Sequence, residues 1–486
     1  MKTLILLISL TLISHTAQAR LVQILHTNDL HSFFEGTRSG PGGYAKIKTV
    51  IDELKLKAAQ DKIPTLILDG GDFGEGSSFF LSNGGVDSIK ALDLLGIDVS
   101  VIGNHDYLLG GPELSRQLTA ANPKVTILSA NLENKKDIGL QNLVPGYKDI
   151  NLDGLRLRII GLSTSAIHFQ YPLNPLAKIR SAITVGLEEE KKAAAEGLDF
   201  VVALTHLGHQ TDKQLAKKST NIHLIVGGHS HARFDEVQYL KNKNNKNVPM
   251  IQAGAQGLAV GSLLIDIAPE GQSKIISYKL HDITPSIESN PQVEAFVANA
   301  YKSREAYFGR QWNEVIGSAD FPLSGYVGGH IHNTKTCWSK HMAELTRLAA
   351  ESDYGIQIDN FNGEQIPAGN ITFGDIIDNF PHFNKYGDNG WKISKSRVNG
   401  KIAKEVMKIV SRVNVPATIS GPTQRLIDSA TYTISFPSEI ALAAGSISTR
   451  LKNILMPGLI ETNVSYWTSI EEYIRANSPL TCGDDR

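Results

Sequence analysis

Five short segments of the sequence carry aspartate, histidine or asparagine directly after an apolar run. They lie at residues 24–31, 68–72, 101–106, 202–206 and 226–231. Each apolar run has the pattern of a buried β-strand, so the polar residues follow the ends of strands. Because ligands bind beyond the carboxyl ends of strands in open α/β sheets, we expect the five segments to converge at one edge.

The residue types in these segments are those that hold divalent metal ions. Carboxylate oxygens and imidazole nitrogens bind Zn²⁺, Mn²⁺ and Fe, and none of the segments contains a cysteine for a thiolate site. The seven candidate ligands are too many for one tetrahedral ion and suit two ions that share a bridging carboxylate. Two ions about 3.5–4 Å apart are a common device for phosphoester hydrolysis, so the pattern favours that chemistry.

The elements that must position these residues alternate between strands and helices. This alternation predicts an α/β sheet domain from residue 20 to about residue 282. A further helix is predicted over residues 291–311, beginning at Pro291. It is either a linker between domains or an ordinary packed helix. The predicted strands are residues 21–26, 65–68, 99–102, 155–162, 200–204, 224–226 and 263–267, and the predicted helices before residue 282 are 44–58 and 86–95.

The whole sequence has the composition of a globular protein of two or three domains. It contains 486 residues, of which 41% are hydrophobic and 20% charged, and a domain typically has about 150 residues. The 48 basic and 49 acidic residues give a net charge of −1. This balance argues against a nucleic-acid partner, which needs a basic surface. A small anionic substrate remains compatible, since bound metals supply local positive charge.

Residues 1–19 have the form of a secretory signal peptide. Lys2 precedes an apolar run over residues 4–13, and Ala17-Gln18-Ala19 matches a small-residue cleavage site. The run is too short for a membrane span, which needs about 20 apolar residues. We therefore predict an exported protein, periplasmic or secreted, without stable membrane insertion.

The order of the motifs resembles that of the calcineurin-like metallophosphoesterases, and among them the bacterial 5′-nucleotidase family. The matching motifs are Asp-x-His, Gly-Asp, Gly-Asn-His-Asp, a strand-end His and Gly-His-Ser-His. Residues 27–31 and 227–231 point to the nucleotidase branch, and residues 366–375 resemble part of its C-terminal domain. The resemblance is strong over residues 21–267 and uneven beyond them.

This resemblance implies the domain organisation and the fold class. The class is α/β, with a four-layer α/β/β/α metallophosphoesterase sandwich and a second α/β substrate-binding domain. The implied boundaries are a catalytic domain at residues 20–285, a linker helix at 286–312 and a C-terminal domain at 313–486. In the family, the linker helix lets the second domain rotate and carry substrate to the metals.

The resemblance also implies a role for each matching residue. His105 would contact the substrate phosphate and stabilise the transition state or the leaving oxygen, with Asp106 as a second catalytic candidate. Asn104 would act as a substrate contact besides its role as a ligand. One divalent ion would be held by Asp29, His31 and His231, a second by Asn104, His206 and His229, and Asp72 would bridge them.

Several positions depart from the family pattern. Leu108 stands where the family has an aspartate that orients the catalytic histidine, so that role is vacant or is filled by Asp106 or another residue. Gln365 stands about where the family has an arginine that binds phosphate. The arginine guanidinium suits that role because it can make a bidentate contact with phosphate. Phe383, with its neighbours in the same segment, is the candidate for a stacking surface in the second domain, unless it is ordinary packing.

These observations favour an exported di-metal phosphoester hydrolase of the 5′-nucleotidase type, which acts on a small molecule by attack of a metal-activated hydroxide. The ions would be Zn, Mn or Fe. The alternatives are a hydrolase of another phosphoester or a sulfur ester, and a non-catalytic binding protein descended from a nucleotidase. The oligomeric state stays open. Cys337 and Cys482 are either a disulfide, which export permits, or two separate thiols.

Overall fold

The computed structural model describes residues 20–165, 178–268, 273–327, 330–331, 336–359, 362–382, 390–412, 417–423, 425–438 and 453–482. Two sequence-based predictions, the signal peptide at residues 1–19 and the stacking role of Phe383, lie outside these residues. Within the described ranges, no helix has the length and apolar character needed to cross a membrane.

Two six-stranded sheets form the centre of the first part of the structure. In chain order the strands are β1 (Arg20–Thr27), β2 (Thr65–Asp69), β3 (Val99–Val101), β4 (Thr126–Leu128), β5 (Tyr147–Leu152), β6 (Leu155–Ser163), β7 (Phe200–His206), β8 (Leu224–Val226), β9 (Gln238–Lys241), β10 (Asn247–Ile251), β11 (Ala259–Ile267) and β12 (Ser273–Asp282). The sheets have the orders β12-β11-β1-β2-β3-β4 and β5-β6-β7-β8-β10-β9. Strands β1 to β4 are parallel to one another, and so are β6 to β8.

Helices cover the outer faces of both sheets and complete four layers. The helices of this part are α1 (Tyr44–Gln60), α2 (Ser78–Asn83), α3 (Val86–Leu95), α4 (Gly111–Ala121), α5 (Ala182–Ala195), α6 (His209–Lys218) and α7 (Pro291–Phe308). Of these, α2 and α7 pack mainly on other helices. The apolar faces of the two sheets meet in one core. Helices α1, α3 and α4 share a second core with the first sheet, and α5 and α6 share a third with the other sheet. Every residue of β7 is buried because both faces of this central strand are covered.

A five-stranded sheet organises the second part of the structure, in the order β19-β16-β20-β18-β21. The strands here are β13 (Val315–Ala319), β14 (Tyr326–Val327), β15 (His330–Ile331), β16 (Tyr354–Ile358), β17 (Gly369–Thr372), β18 (Lys392–Asn399), β19 (Ala417–Ser420), β20 (Thr431–Pro437) and β21 (Leu459–Ser465). The helices are α8 (Cys337–Ala349), α9 (Phe373–Asn379), α10 (Gly400–Val410) and α11 (Tyr466–Asn477), with a 3-10 turn at Met456–Gly458. The predicted α/β class, with a four-layer sandwich and a second α/β domain, is confirmed.

Local signals explain where several of these elements start. Thr336 and Thr372 begin α8 and α9 with capping boxes, in which each threonine side chain accepts a backbone N–H of the first helical turn. Asn290 caps α7 in a similar way, ahead of Pro291. A disulfide joins Cys337 to Cys482, so the end of the described chain is held against the start of α8.

Helix α7 contacts both parts of the structure through a buried arginine. The Arg304 guanidinium lies 4.0 Å from the ring centre of Phe79 and 3.9 Å from that of Trp312. Its Nη1 donates a 2.8 Å hydrogen bond to Ser78 Oγ and lies 4.0 Å from a carboxylate oxygen of Asp378. Because Phe79 belongs to the first part and Asp378 to the second, Arg304 joins the two.

Candidate metal centre

The structure brings all seven predicted ligands to one place, at the carboxyl ends of five strands. Strands β1, β2 and β3 deliver the residues of the first sheet, and β7 and β8 deliver those of the second. The two sheets face each other through a shared core, so both sets of strand ends open on the same edge. The ligands are buried or half-buried: Asp29, His31, Asp72, Asn104, His206, His229 and His231.

The donor atoms form two groups that meet at one carboxylate. In the first group, His231 Nε2 lies 3.4 Å from Asp29 Oδ1 and 3.1 Å from His31 Nε2. The second group contains Asp72, whose Oδ2 lies 3.0 Å from His206 Nε2 and 3.9 Å from His31 Nε2. Asp72 is therefore the carboxylate that stands between the two groups.

Two further ligands complete the second group. His229 lies within the same cluster of potential ligand atoms as Asp72 and His206. Its Nδ1 is 2.9 Å from Asn104 Oδ1, so the asparagine oxygen faces the same space. A ring nitrogen of His105 lies within 4.8 Å of donor atoms of His31 and Asp72, which places the predicted catalytic histidine at the edge of the cluster.

This donor set fits two divalent cations. Two imidazole nitrogens, those of His206 and His31, lie 3.0 Å and 3.9 Å from Asp72 Oδ2, where a bound cation would stabilise the buried carboxylate charge. Among the described residues, Nε2 of fully buried His206 has no well-directed hydrogen bond, although it lies beside Asp72. A buried imidazole nitrogen without a well-directed hydrogen bond has a lone pair that can bind a metal ion.

Backbone carbonyls fix the orientation of two ligand imidazoles. His31 Nδ1 is 2.6 Å from the carbonyl oxygen of Glu75, and His206 Nδ1 is 2.7 Å from that of Gly70. A carbonyl only accepts, so each Nδ1 carries the proton and donates it. In the neutral form of both rings Nε2 is then the unprotonated nitrogen, which is the form that binds metal.

The backbone at the ligands is unusual, because five of them have a left-handed conformation. Asparagine, aspartate and histidine adopt positive φ more readily than other non-glycine residues, but the conformation is still uncommon. The tight turns after the strands require it, since they direct successive side chains back over the sheet edge. The φ angles are 51° at Asp29, 49° at His31, 54° at Asp72, 75° at His229 and 52° at His231.

Gly103 is the glycine that the Asp72 carboxylate approaches most closely. A Cβ at this position would collide with Asp72 Oδ1 and would lie 2.6 Å from the Asp72 backbone nitrogen. We expect Gly103→Ala to displace Asp72 and to weaken zinc binding by about 10–100-fold, the size of effect seen when the support of a ligand is lost. A zinc titration against a competing chelator measures this change.

Gly309 at the end of α7 provides the matched control. Its φ is 64° and a Cβ added there would have no atom within 4 Å, so Gly309→Ala introduces backbone strain without a clash. The strain costs about 1–2 kcal/mol of stability, and we expect unchanged zinc affinity. Wild-type zinc affinity in Gly103→Ala would contradict the role given to the close approach.

The carboxylate that contacts His105 belongs to Glu75. Glu75 Oε2 accepts a short hydrogen bond from His105 Nδ1, and Glu75 Oε1 is 2.7 Å from His382 Nδ1 of the second domain. Burial lowers the pKa of His105, but the carboxylates of Asp72 and Glu75 outweigh it and hold that pKa at about 9. Burial opposes ionisation of Glu75, yet His382 and His105 keep its pKa below the usual value.

Asp106 makes a different set of contacts. Its carboxylate accepts the backbone N–H groups of Asp72, Gly74 and Gly103 at 2.8–2.9 Å. Burial raises the pKa of Asp106 to about 8, and the charge of Asp72 adds to that increase. These contacts hold the two ligand loops together, while a direct catalytic role for Asp106 stays a prediction.

Sequence reasoning missed Glu75 as the partner of His105. It lies three residues after Asp72 in the same loop and is 1% exposed. The signal available in the sequence was an acidic residue three positions after a predicted ligand. Leu108, in the position of the family's orienting aspartate, is buried. Gln365 is half-buried in the second domain. The substrate contacts predicted for Asn104 and His105 stay predictions.

The comparisons with known proteins agree with this geometry. Residues 22–233 match the family described as calcineurin-like phosphoesterase. The trifunctional nucleotide phosphoesterase protein YfkN of Bacillus subtilis is 24% identical to 74% of this chain, which covers 26% of that protein. A 5′-nucleotidase of Vibrio vulnificus is 24% identical, and the match covers 94% of this chain and 90% of that protein.

A solved structure shows the same fold over nearly the whole chain. The 5′-nucleotidase precursor from Thermus thermophilus superposes with a TM-score of 0.79 at 21% identity, over 94% of this chain and 96% of that one. The chain spans about half or less of the length of several curated relatives that it matches. The calcineurin-like family uses a dinuclear divalent metal centre, which the two donor groups fit. Residues 22–233 are therefore a calcineurin-like phosphoesterase domain, in a chain that has 5′-nucleotidases among its homologues.

Proposed function

We propose that this protein is an exported, metal-dependent phosphoester hydrolase of the 5′-nucleotidase type. The observation that carries the proposal is the pair of donor groups that share Asp72, with His105 at their edge. The set consists of four histidines, two aspartates and an asparagine, all buried or half-buried. If these positions served only packing, apolar residues would serve it better. The set does match the needs of two cations that act on one phosphoryl group.

The chain's own residues have separate parts in this reaction. Two divalent ions, when bound, supply a nucleophile at neutral pH and neutralise charge on the phosphoryl group. Asp72 and the six other ligands hold their donor atoms in place for those ions. His105 holds its Nδ1 proton against Glu75 and presents Nε2 to the substrate. In its charged form the ring carries a second proton on Nε2, which it donates to the leaving oxygen as the bond to phosphorus breaks, and the neutral ring that remains keeps its Nδ1 proton on Glu75.

The substrate that we propose is a nucleotide or a related small phosphoester. The similarity to nucleotide phosphoesterases and 5′-nucleotidases supports this class. A second candidate is a phosphoester other than a 5′-nucleotide, since Gln365 stands about where the resemblance implies a substrate-binding arginine, and a glutamine cannot make that charged bidentate contact. The near-neutral net charge of −1 is compatible with both candidates.

Export is supported by two features of the chain. The first 19 residues have the form of a signal peptide. The disulfide between Cys337 and Cys482 is of the kind that persists in oxidising compartments. We therefore propose that the protein works outside the cytosol.

Phosphate or nitrophenol release from the purified protein tests the proposal. The protein is loaded with Zn²⁺ or Mn²⁺ and assayed with AMP, ATP, UDP-glucose, glucose 6-phosphate and bis-p-nitrophenyl phosphate. We expect turnover of at least one ester, loss of turnover after dialysis against a chelator, and recovery when the metal is returned. Turnover of AMP or ATP supports the nucleotidase assignment, while turnover of the other three esters alone supports the second candidate.

The negative result is also informative. If two metal ions bind per chain and no ester in the panel is cleaved, the hydrolase proposal is contradicted and a binding protein takes its place. Metal stoichiometry by plasma mass spectrometry, measured on the same preparation, separates this outcome from a failure to load the ions.

A further inference from the structure

The second domain reaches the candidate active site at one carboxylate, that of Glu75. This residue lies in the loop between β2 and α2 and is 1% exposed. One of its oxygens accepts from His105 Nδ1, and the other lies 2.7 Å from His382 Nδ1. Its backbone carbonyl accepts from Nδ1 of the ligand His31 at 2.6 Å. Glu75 thus touches a metal ligand, the catalytic candidate and the second domain.

No other described carboxylate is placed to orient His105 through Nδ1. Leu108 carries no polar group, and both oxygens of Asp106 accept backbone N–H groups. Asp72 Oδ1 accepts the backbone N–H of His105, not its ring nitrogen, at 2.8 Å. A histidine whose Nδ1–H is held by a carboxylate has a fixed tautomer and ring orientation, with Nε2 aimed at the substrate.

His382 is held in a rigid setting within the second domain. Its ring stacks on Trp391 with centroids 4.9 Å apart and an interplanar angle of 21°. It also packs edge-on against Phe380, with centroids 4.8 Å apart. Because both neighbours are buried, the position of His382 follows the position of the whole domain.

We propose that Glu75 is the positioning residue for His105, and that His382 fixes Glu75 when the two domains are together. One buried carboxylate would then replace the orienting residue that is lost at position 108. It would also make the order of the active site depend on contact with the second domain. This inference rests on the proposed hydrolase function.

The kinetic test uses the alkyl phosphoester of the panel that the wild-type protein cleaves fastest. We expect Glu75→Gln to lower kcat by about 10–100-fold, as supporting residues of active sites do, with KM changed by less than about threefold. Glu364→Gln is the matched control. Glu364 is another acidic residue at the domain interface, where it accepts from the backbone of Arg38, and its variant should keep the wild-type kcat.

A double-mutant cycle separates positioning from general structural damage. In the His105→Ala background, Glu75→Gln should lower kcat by less than about twofold, since its effect acts through the missing imidazole. His382→Ala should lower kcat in the wild-type background and add nothing in Glu75→Gln. Equal losses in both backgrounds, or a wild-type kcat in Glu75→Gln, would overturn the proposal.

A spectroscopic measurement tests the positioning role of Glu75 independently of whether the protein hydrolyses any ester. Nitrogen NMR of the zinc-loaded protein should show His105 protonated at Nδ1 in the wild type, and a changed tautomer or averaged signals in Glu75→Gln. An unchanged His105 spectrum in that variant contradicts the positioning role even if no ester is cleaved. Failure of the whole panel in the wild type contradicts the hydrolase proposal alone.

Discussion

Replacing the shared carboxylate, Asp72→Ala, is expected to lower kcat at least about 10³-fold. Two bound ions contribute several kcal/mol to the transition state, and each 1.4 kcal/mol corresponds to about a tenfold change in rate. Asp72 Oδ2 lies within 3.0–3.9 Å of ligand nitrogens from both donor groups, so its loss affects both ions. Metal content by plasma mass spectrometry should fall below two ions per chain in the same sample.

Asp61→Ala is the matched control for this substitution. Asp61 is an exposed aspartate just after α1, and its side chain is remote from the strand ends that carry the ligands. We expect this variant to keep both the wild-type metal content and the wild-type kcat. If Asp72→Ala kept two ions and lowered kcat by less than tenfold, the shared-carboxylate geometry would not describe the working enzyme.

The second large effect is expected for His105→Ala, and its size should depend on the leaving group. A general acid typically contributes about 10²–10⁴-fold, mostly when the leaving oxygen is strongly basic. We therefore expect kcat for an alkyl phosphoester to fall by about 10³-fold, and kcat for a p-nitrophenyl ester to fall by about tenfold or less. Single-turnover rates with the two substrates measure the difference.

The comparison between the substrates distinguishes two roles for His105. Equal losses would mean that His105 stabilises charge on the phosphoryl oxygens and does not protonate the leaving group. If the rates for both substrates were unchanged in His105→Ala, His105 would have no part in the reaction. His281→Ala controls for loss of an imidazole, because His281 hydrogen-bonds Ser262 Oγ on β11, away from the ligands.

Much of the first domain could be predicted from hydrophobic patterns. Helix α3 and strand β8 have the predicted bounds, β2 is one residue longer at one end, and β1 is one residue longer at each end. These elements are buried on one or both faces, so their sequences carry strong periodic signals. Helix α7 ends at Phe308, three residues before the predicted end. Gly309 is the reason, because it takes the left-handed conformation that ends a helix.

The convergence of the ligand loops could also be predicted from the sequence, for a topological reason. Polar residues that follow parallel strands must meet at one sheet edge, so their chain separation does not matter. The partner of His105 could not be found in this way. Glu75 reaches that ring through the fold of a loop and not through strand order. Arg304 was missed as well, since a single arginine in a helical pattern predicts an exposed side chain.

The second domain was predicted less completely, because its motifs had diverged. A sheet and helices were expected there, but strand order depends on contacts between segments far apart in the chain. The link between His382 and Glu75 depends in addition on how the two domains meet. Neither relation leaves a pattern within one segment of sequence.

The left-handed backbone at five ligands also limits how this protein can change over evolutionary time. The residue at each of those positions must meet two requirements: it must offer a donor atom to a metal, and it must tolerate positive φ. Only aspartate, asparagine and histidine meet both requirements easily. A descendant that no longer used metals would lose the first requirement and keep the second. We expect such a lineage to keep asparagine, aspartate or glycine at these positions, so the backbone turns would be preserved after metal binding had been lost.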